Sequence, residues 1–138
     1  ILVTSGFVYE TLNLAWKMLP RMTIGRLRIA VVMIIIFAIH IVCIWMNGIL
    51  YWLLLHYTDI GHFSGTYFEH GEHGNDLLAC VYFASVVYTS LGFGDILPHG
   101  GFRMLAGVTV LNGLVLIGWT VSFAFLAMNR YWNVKQDQ

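Results

Sequence analysis

Residues 77–95 read LLACVYFASVVYTSLGFGD, and the fold turns on how far the apolar part of this stretch can reach. Leu77 to Tyr88 is an unbroken apolar run of a dozen residues, which as a helix makes about 18 Å against the roughly 30 Å of hydrocarbon in a bilayer. A membrane helix of that length has to return to the side it entered from. The next seven residues, Thr89-Ser90-Leu91-Gly92-Phe93-Gly94-Asp95, place an aromatic residue between two glycines and continue a helix badly. Non-helical backbone at membrane depth is tolerated only where it is buried in protein or lines a water-filled cavity. The stretch therefore predicts a re-entrant helix followed by a loop that faces a pore.

On either side lie runs long enough to cross. Residues 29–55 (IAVVMIIIFAIHIVCIWMNGILYWLLL) and 104–128 (MLAGVTVLNGLVLIGWTVSFAFLAM) carry no formal charge, and the first makes roughly 40 Å of helix. Neither is short enough for a secretory signal peptide. Ahead of the first span, Val8, Leu12, Ala15 and Leu19 recur at helical spacing while Glu10, Asn13, Lys17 and Arg21 fall on another face. Residues 6–19 thus predict an amphipathic helix on the membrane surface, inside an interfacial segment at residues 1–28.

The charges fix an orientation. Only 10% of the 138 residues are charged, and seven Lys and Arg cancel seven Asp and Glu, against about a quarter charged in a soluble domain. There is no basic excess to neutralise phosphates, so nucleic-acid binding is excluded. Lys17, Arg21, Arg26 and Arg28 precede the first span, and Arg130 and Lys135 follow the second. Between residues 56 and 102 lie Asp59, Glu69, Glu72, Asp76 and Asp95 without a single Lys or Arg. The positive-inside rule puts both termini in the cytoplasm and the middle outside, in a plasma membrane or cell inner membrane. Residues 56–76, polar and Gly-rich from Gly61 to Asn75, predict an exposed extracellular loop.

The heptapeptide at 89–95, with Pro98 behind it, resembles the potassium-channel signature usually written T-T-V-G-Y-G-D. The order of span, loop, short helix, glycine loop and span is likewise similar to the two-transmembrane potassium-channel pore. The resemblance covers about Arg28 to Arg130. It implies an all-α membrane protein in which outer helix 29–55 and inner helix 104–128 flank a re-entrant pore helix, 77–88, and a selectivity filter, 89–95. It further implies that Thr89, Ser90, Leu91, Gly92, Phe93 and Gly94 form one wall of an ion path, closed as a homotetramer in membrane lipid. Filter carbonyls would replace the hydration shell of potassium, the permeant ligand, and no other cofactor is implied. Gly92 and Gly94 would allow the alternating backbone hand that points every carbonyl inward. Asp95 would sit at the outer mouth and reach back to Tyr82, and Gly113 falls where the family's inner helix carries its gating hinge. Packing of small residues is the other reading of Gly107, Gly113 and Gly118.

The sequence departs from the signature at Ser90 for Thr, Leu91 for Val and Phe93 for Tyr. Phe93 has no hydroxyl to tether the filter. Tyr88 is larger than the small residue expected there, and Val86 stands where some relatives are acidic. These departures keep a poorly selective cation channel open as an alternative, beside a non-conducting membrane subunit or an intramembrane enzyme using His40. No catalytic arrangement is present, so an enzyme is not expected. His62, His70 and His73 could hold a divalent metal, although a His-rich polar loop is more simply a solvated surface. His40 and Asn47, polar inside the first span, are expected to face protein, and Cys43 and Cys80, both in apolar segments, to be buried thiols. No span carries the regularly spaced arginines of a voltage sensor. The chain opens at Ile1 without an initiator Met, which reads as a fragment, and a regulatory domain or subunit outside it is left open.

Overall fold

The computed structural model describes residues 1–18, 25–65 and 76–132. Four helices and one two-stranded ribbon follow in chain order among these residues: α1 Leu2–Met18, α2 Gly25–Tyr57, β1 Phe63–Gly65, α3 Asp76–Tyr88, β2 Ile96–Pro98 and α4 Phe102–Trp132. α2 and α4, of 33 and 31 residues, are the two helices long and apolar enough to cross a membrane. Both overrun the apolar runs at 29–55 and 104–128, because hydropathy marks the part that sits in lipid while the helix continues until something stops it. At the end of α2 the Thr58 hydroxyl and amide both turn back to the Leu54 carbonyl, at 2.6 and 3.1 Å. Phe37 on α2 is 71% exposed and Phe125 on α4 is 61% exposed. In water such side chains would carry a large unfavourable solvation free energy, so these faces belong against lipid or other protein.

The chain divides into two compact units. One, Cys43–Leu114, is organised by four aromatic rings from four elements. Tyr51 of α2 meets Phe63, Phe83 and Phe102 at 5.9, 5.2 and 6.0 Å between ring centroids, each edge to face. Phe63 of β1 lies 4.7 Å from Phe83 of α3 and 4.8 Å from Phe102 of α4. Edge-to-face geometry suits the ring quadrupole and adds about 0.5–1.5 kcal/mol per pair beyond area burial. The Thr109 hydroxyl spends its proton on the Leu105 carbonyl (2.9 Å), so the Tyr51 hydroxyl is the donor in the 3.0 Å bond to Thr109. α2 and α3 approach so closely that a Cβ on Gly48 would stand 2.7 Å from the Val81 Cα.

The loop before α3 departs from its expected exposure. Phe63 is only 6% exposed, and β1 pairs antiparallel with β2 in the register Phe63↔Pro98, Ser64↔Leu97, Gly65↔Ile96. His99 donates its amide to the His62 carbonyl at 2.8 Å and Gly101 to that of Ile60 at 2.9 Å, which continues the ribbon. A three-residue strand is too short to show alternation, and its one large apolar side chain disappears in a polar average.

The other unit joins Ile1–Val42 to Val115–Gln138. Here α1 buries Thr4, Val8, Leu12 and Ala15, three of them on the anticipated apolar stripe; Leu19 lies outside the described residues. Neighbouring residues of α1 meet α4. Trp16 packs edge to face on Phe123 at 5.6 Å, Tyr9 lies 6.3 Å from Trp119, and the Arg130 guanidinium stands 5.0 Å over the Trp16 ring. Periodicity identifies an apolar face without saying what covers it. Deeper along the spans, His40 and Thr120 are 2.9 Å apart. Thr120 already donates to the Ile117 carbonyl at 3.0 Å, so the His40 Nε2 is the donor.

Candidate functional site

α3 contains neither Gly nor Pro and is 13 residues long, about 20 Å. Its C-terminus is closed by a specific device. The Ser90 amide donates to the Val87 carbonyl at 3.0 Å and the Leu91 amide to that of Val86 at 2.8 Å, with Ser90 in the left-handed region at φ 56°. This is the Schellman arrangement, in which a left-handed residue just past the helix lets its own amide and the next one satisfy terminal carbonyls. Glycine usually fills that position. A side chain there costs about 1–2 kcal/mol, and the Ser90 hydroxyl gives some of it back by donating to the Thr89 carbonyl at 2.7 Å. The Thr89 hydroxyl turns back onto α3 and donates to the Ser85 carbonyl at 2.7 Å.

Ser90 also begins a pattern. Positive φ recurs at Gly92 (64°) and Gly94 (80°) and at neither Leu91 nor Phe93, so the backbone alternates in hand from residue 90 to residue 94. A Cβ added at Gly92 or Gly94 would meet nothing within 4 Å. These glycines are required by the torsion and not by lack of room. Sequence reasoning placed the alternation at Gly92 and Gly94 and named Ser90 as a filter residue without anticipating its positive φ. The signal was available, since the two-residue step from Gly94 to Gly92, taken once more, reaches Ser90, where a helix terminator is also needed.

This strand lies open. Thr89 through Gly94 are exposed, with Leu91 at 57% and Phe93 at 66%. Its two ends, by contrast, are fixed. Beyond Gly94, Asp95 accepts a 2.7 Å hydrogen bond from the Tyr82 hydroxyl of α3, and Ile96 enters the aromatic core through β2. Before Thr89, Tyr88 is 1% exposed and its hydroxyl is hydrogen-bonded to the Cys43 thiol on α2. Gly113 of α4 packs on the Tyr88 backbone; a Cβ there would overlap the carbonyl oxygen and stand 2.9 Å from the carbonyl carbon. Gly113 therefore has a packing function, within an α4 that runs as one helix through this position.

The remaining polar residues fall elsewhere. His62 stacks on His99 with ring centroids 4.8 Å apart and planes 11° apart, and His99 Nε2 is 2.7 Å from the Ser64 hydroxyl. Stacked rings do not converge their nitrogens on one point. His70 and His73 lie outside the described residues, and among the described residues no group of three or more His, Cys, Asp or Glu is placed to hold a metal ion. Asn47 donates to the carbonyl of Cys43, one turn back on its own helix, at 2.8 Å, and both cysteines are buried thiols outside any disulfide.

Two helices long and apolar enough to cross a membrane enclose a shorter apolar helix and a strand of alternating backbone hand, the arrangement of a membrane protein. A family model described as "Ion channel" matches residues 29–129, which takes in most of α2 and α4 and the chain between them, and the chain belongs to this two-transmembrane ion channel family. No curated protein and no solved structure matches the chain.

Proposed function

We propose that this channel is a potassium-selective pore, a homotetramer in which residues 89–95 of each chain form one wall of the selectivity filter. The observation that carries the reading is the alternation of backbone hand at Ser90, Gly92 and Gly94 on a strand that its own chain leaves uncovered. Alternation turns successive carbonyls to the same side. A strand of aligned carbonyls at membrane depth has to be buried or to line water, and copies of the chain around an axis supply both conditions at once. Carbonyls of Ser90, Leu91, Gly92 and Phe93 then coordinate a dehydrated potassium ion, with the Ser90 hydroxyl at the inner end. In this reading α3 is re-entrant, and its C-terminal end directs partial negative charge at the cavity, which favours a cation. Asp95 raises cation concentration at the outer mouth. The basic ends lie in the cytoplasm, in a plasma membrane or cell inner membrane.

Two further sequence expectations keep their place here. Gly113 can serve as a hinge for the inner helix as well as a packing site, and a regulatory domain or subunit outside the chain supplies the gating stimulus. The test is electrical: purified protein in a planar bilayer, under opposed potassium and sodium gradients, reverses near the potassium equilibrium potential. Reversal near zero would make it a poorly selective cation channel, and no current at all would make it a non-conducting subunit.

A further inference from the structure

We propose that Tyr88 is a positioning residue for ion selection, holding the inner end of the filter between α2 and α4 and taking over the tethering that Phe93 cannot provide. The inference rests on the potassium-pore reading above.

A ring of carbonyls discriminates between ions only while their positions are held. Along this filter the hold is uneven. The outer end is secured through Asp95 to Tyr82 and through Ile96 to the aromatic core. The middle has no hydroxyl at Phe93, and Phe93 is exposed. The inner end begins at Tyr88, where contacts from three elements meet. The side chain is fully buried although the residue lies next to an exposed strand. Its hydroxyl bonds the Cys43 thiol of α2, and Cys43 is itself wholly buried. Its carbonyl presses on Gly113 of α4 so closely that no side chain fits between them. On its own helix, the Thr89 amide and hydroxyl both return to the Ser85 carbonyl, at 3.1 and 2.7 Å.

A large residue at this position is therefore functional. A small one would leave the thiol of Cys43 without its partner and a cavity behind the first filter carbonyl. The contact with Gly113 has a second consequence. Any movement of α4 at this level displaces the Tyr88 carbonyl, and with it the residue from which the alternating strand starts. The hinge and the clamp assign different results to Gly113→Ala: a hinge alone changes opening and leaves selectivity intact, whereas the clamp loses selectivity.

The full chain in planar bilayers under opposed potassium and sodium gradients tests this. Tyr88→Phe keeps the ring and removes the hydroxyl, Cys43→Ala removes the same bond from the other side, and Cys43→Ser retains a hydroxyl partner. The potassium-to-sodium permeability ratio should fall about tenfold in Tyr88→Phe and in Cys43→Ala, with no further fall in the double variant and recovery in Cys43→Ser. Unchanged ratios in both single variants, or a loss of thermal stability with unchanged reversal potential, would overturn the proposal and leave the potassium pore standing. An unselective wild type would instead sink the pore reading itself.

Discussion

Replacing Gly92 with Ala isolates the backbone torsion from every other influence on the filter. The substitution adds one methyl group, and within the chain that methyl meets nothing within 4 Å, so there is no steric contribution to estimate. What remains is a side chain held at φ 64°, which costs about 1–2 kcal/mol, less the roughly 0.5–1 kcal/mol returned because Ala has less unfolded-state freedom than Gly. In the proposed tetramer this net cost of about 1 kcal/mol recurs in four chains, about 4 kcal/mol in all. The strand can escape the cost only by moving to negative φ, which rotates a carbonyl away from the axis. Ser90→Gly works in the opposite direction. It removes a side chain already held at φ 56°, and the greater unfolded-state freedom of Gly, about 0.5–1 kcal/mol, offsets most of the gain. The assay is thermal dissociation of the purified tetramer in potassium, with reversal potentials measured in parallel. Gly92→Ala should dissociate at markedly lower temperature or lose selective current, while Ser90→Gly stays within a few degrees of wild type. A Gly92→Ala channel with wild-type stability and selectivity would refute the torsional argument.

Tyr82→Phe removes the 2.7 Å bond to Asp95; hydrogen bonds to charged groups contribute about 1.5–3 kcal/mol, and current under sustained recording should decay several-fold faster in the variant. Thr120→Val removes the 2.9 Å bond to the His40 Nε2, a loss of about 0.5–1.5 kcal/mol that thermal unfolding in detergent should register, whereas Thr120→Ser should not lower stability as far. Trp16→Leu removes the ring shared by Phe123 and Arg130, about 1–2.5 kcal/mol for one aromatic pair and one cation–π contact. Amide hydrogen exchange should accelerate across α1 and hardly change in α3; equal acceleration in both would show that α1 does not dock independently.

The sequence made the spans legible because 27 and 25 uncharged residues in a row, at 29–55 and 104–128, have few physical interpretations. The short helix was legible by length and the glycine loop by composition. What stayed hidden depended on long-range contact. Phe63 looked like an isolated ring in a polar loop until three other rings were found around it. The stripe on α1 carried no indication that Tyr9 and Trp16 beside it meet Trp119 and Phe123 of α4. Gly113 was equally compatible with bending and with close approach, and only the position of the Tyr88 carbonyl decides that approach is required. The left-handed backbone of Ser90 stayed hidden because a serine, unlike a glycine, does not advertise positive φ.

The central claim is that four copies of residues 89–95 coordinate dehydrated potassium with backbone oxygens. A structure of the assembled channel determined in potassium tests it most directly. The account predicts a four-fold axis carrying a column of ion density between rings of oxygens from Ser90, Leu91, Gly92 and Phe93. An axis without ion density at Gly92, or a filter whose carbonyls turn away from it, would contradict the account.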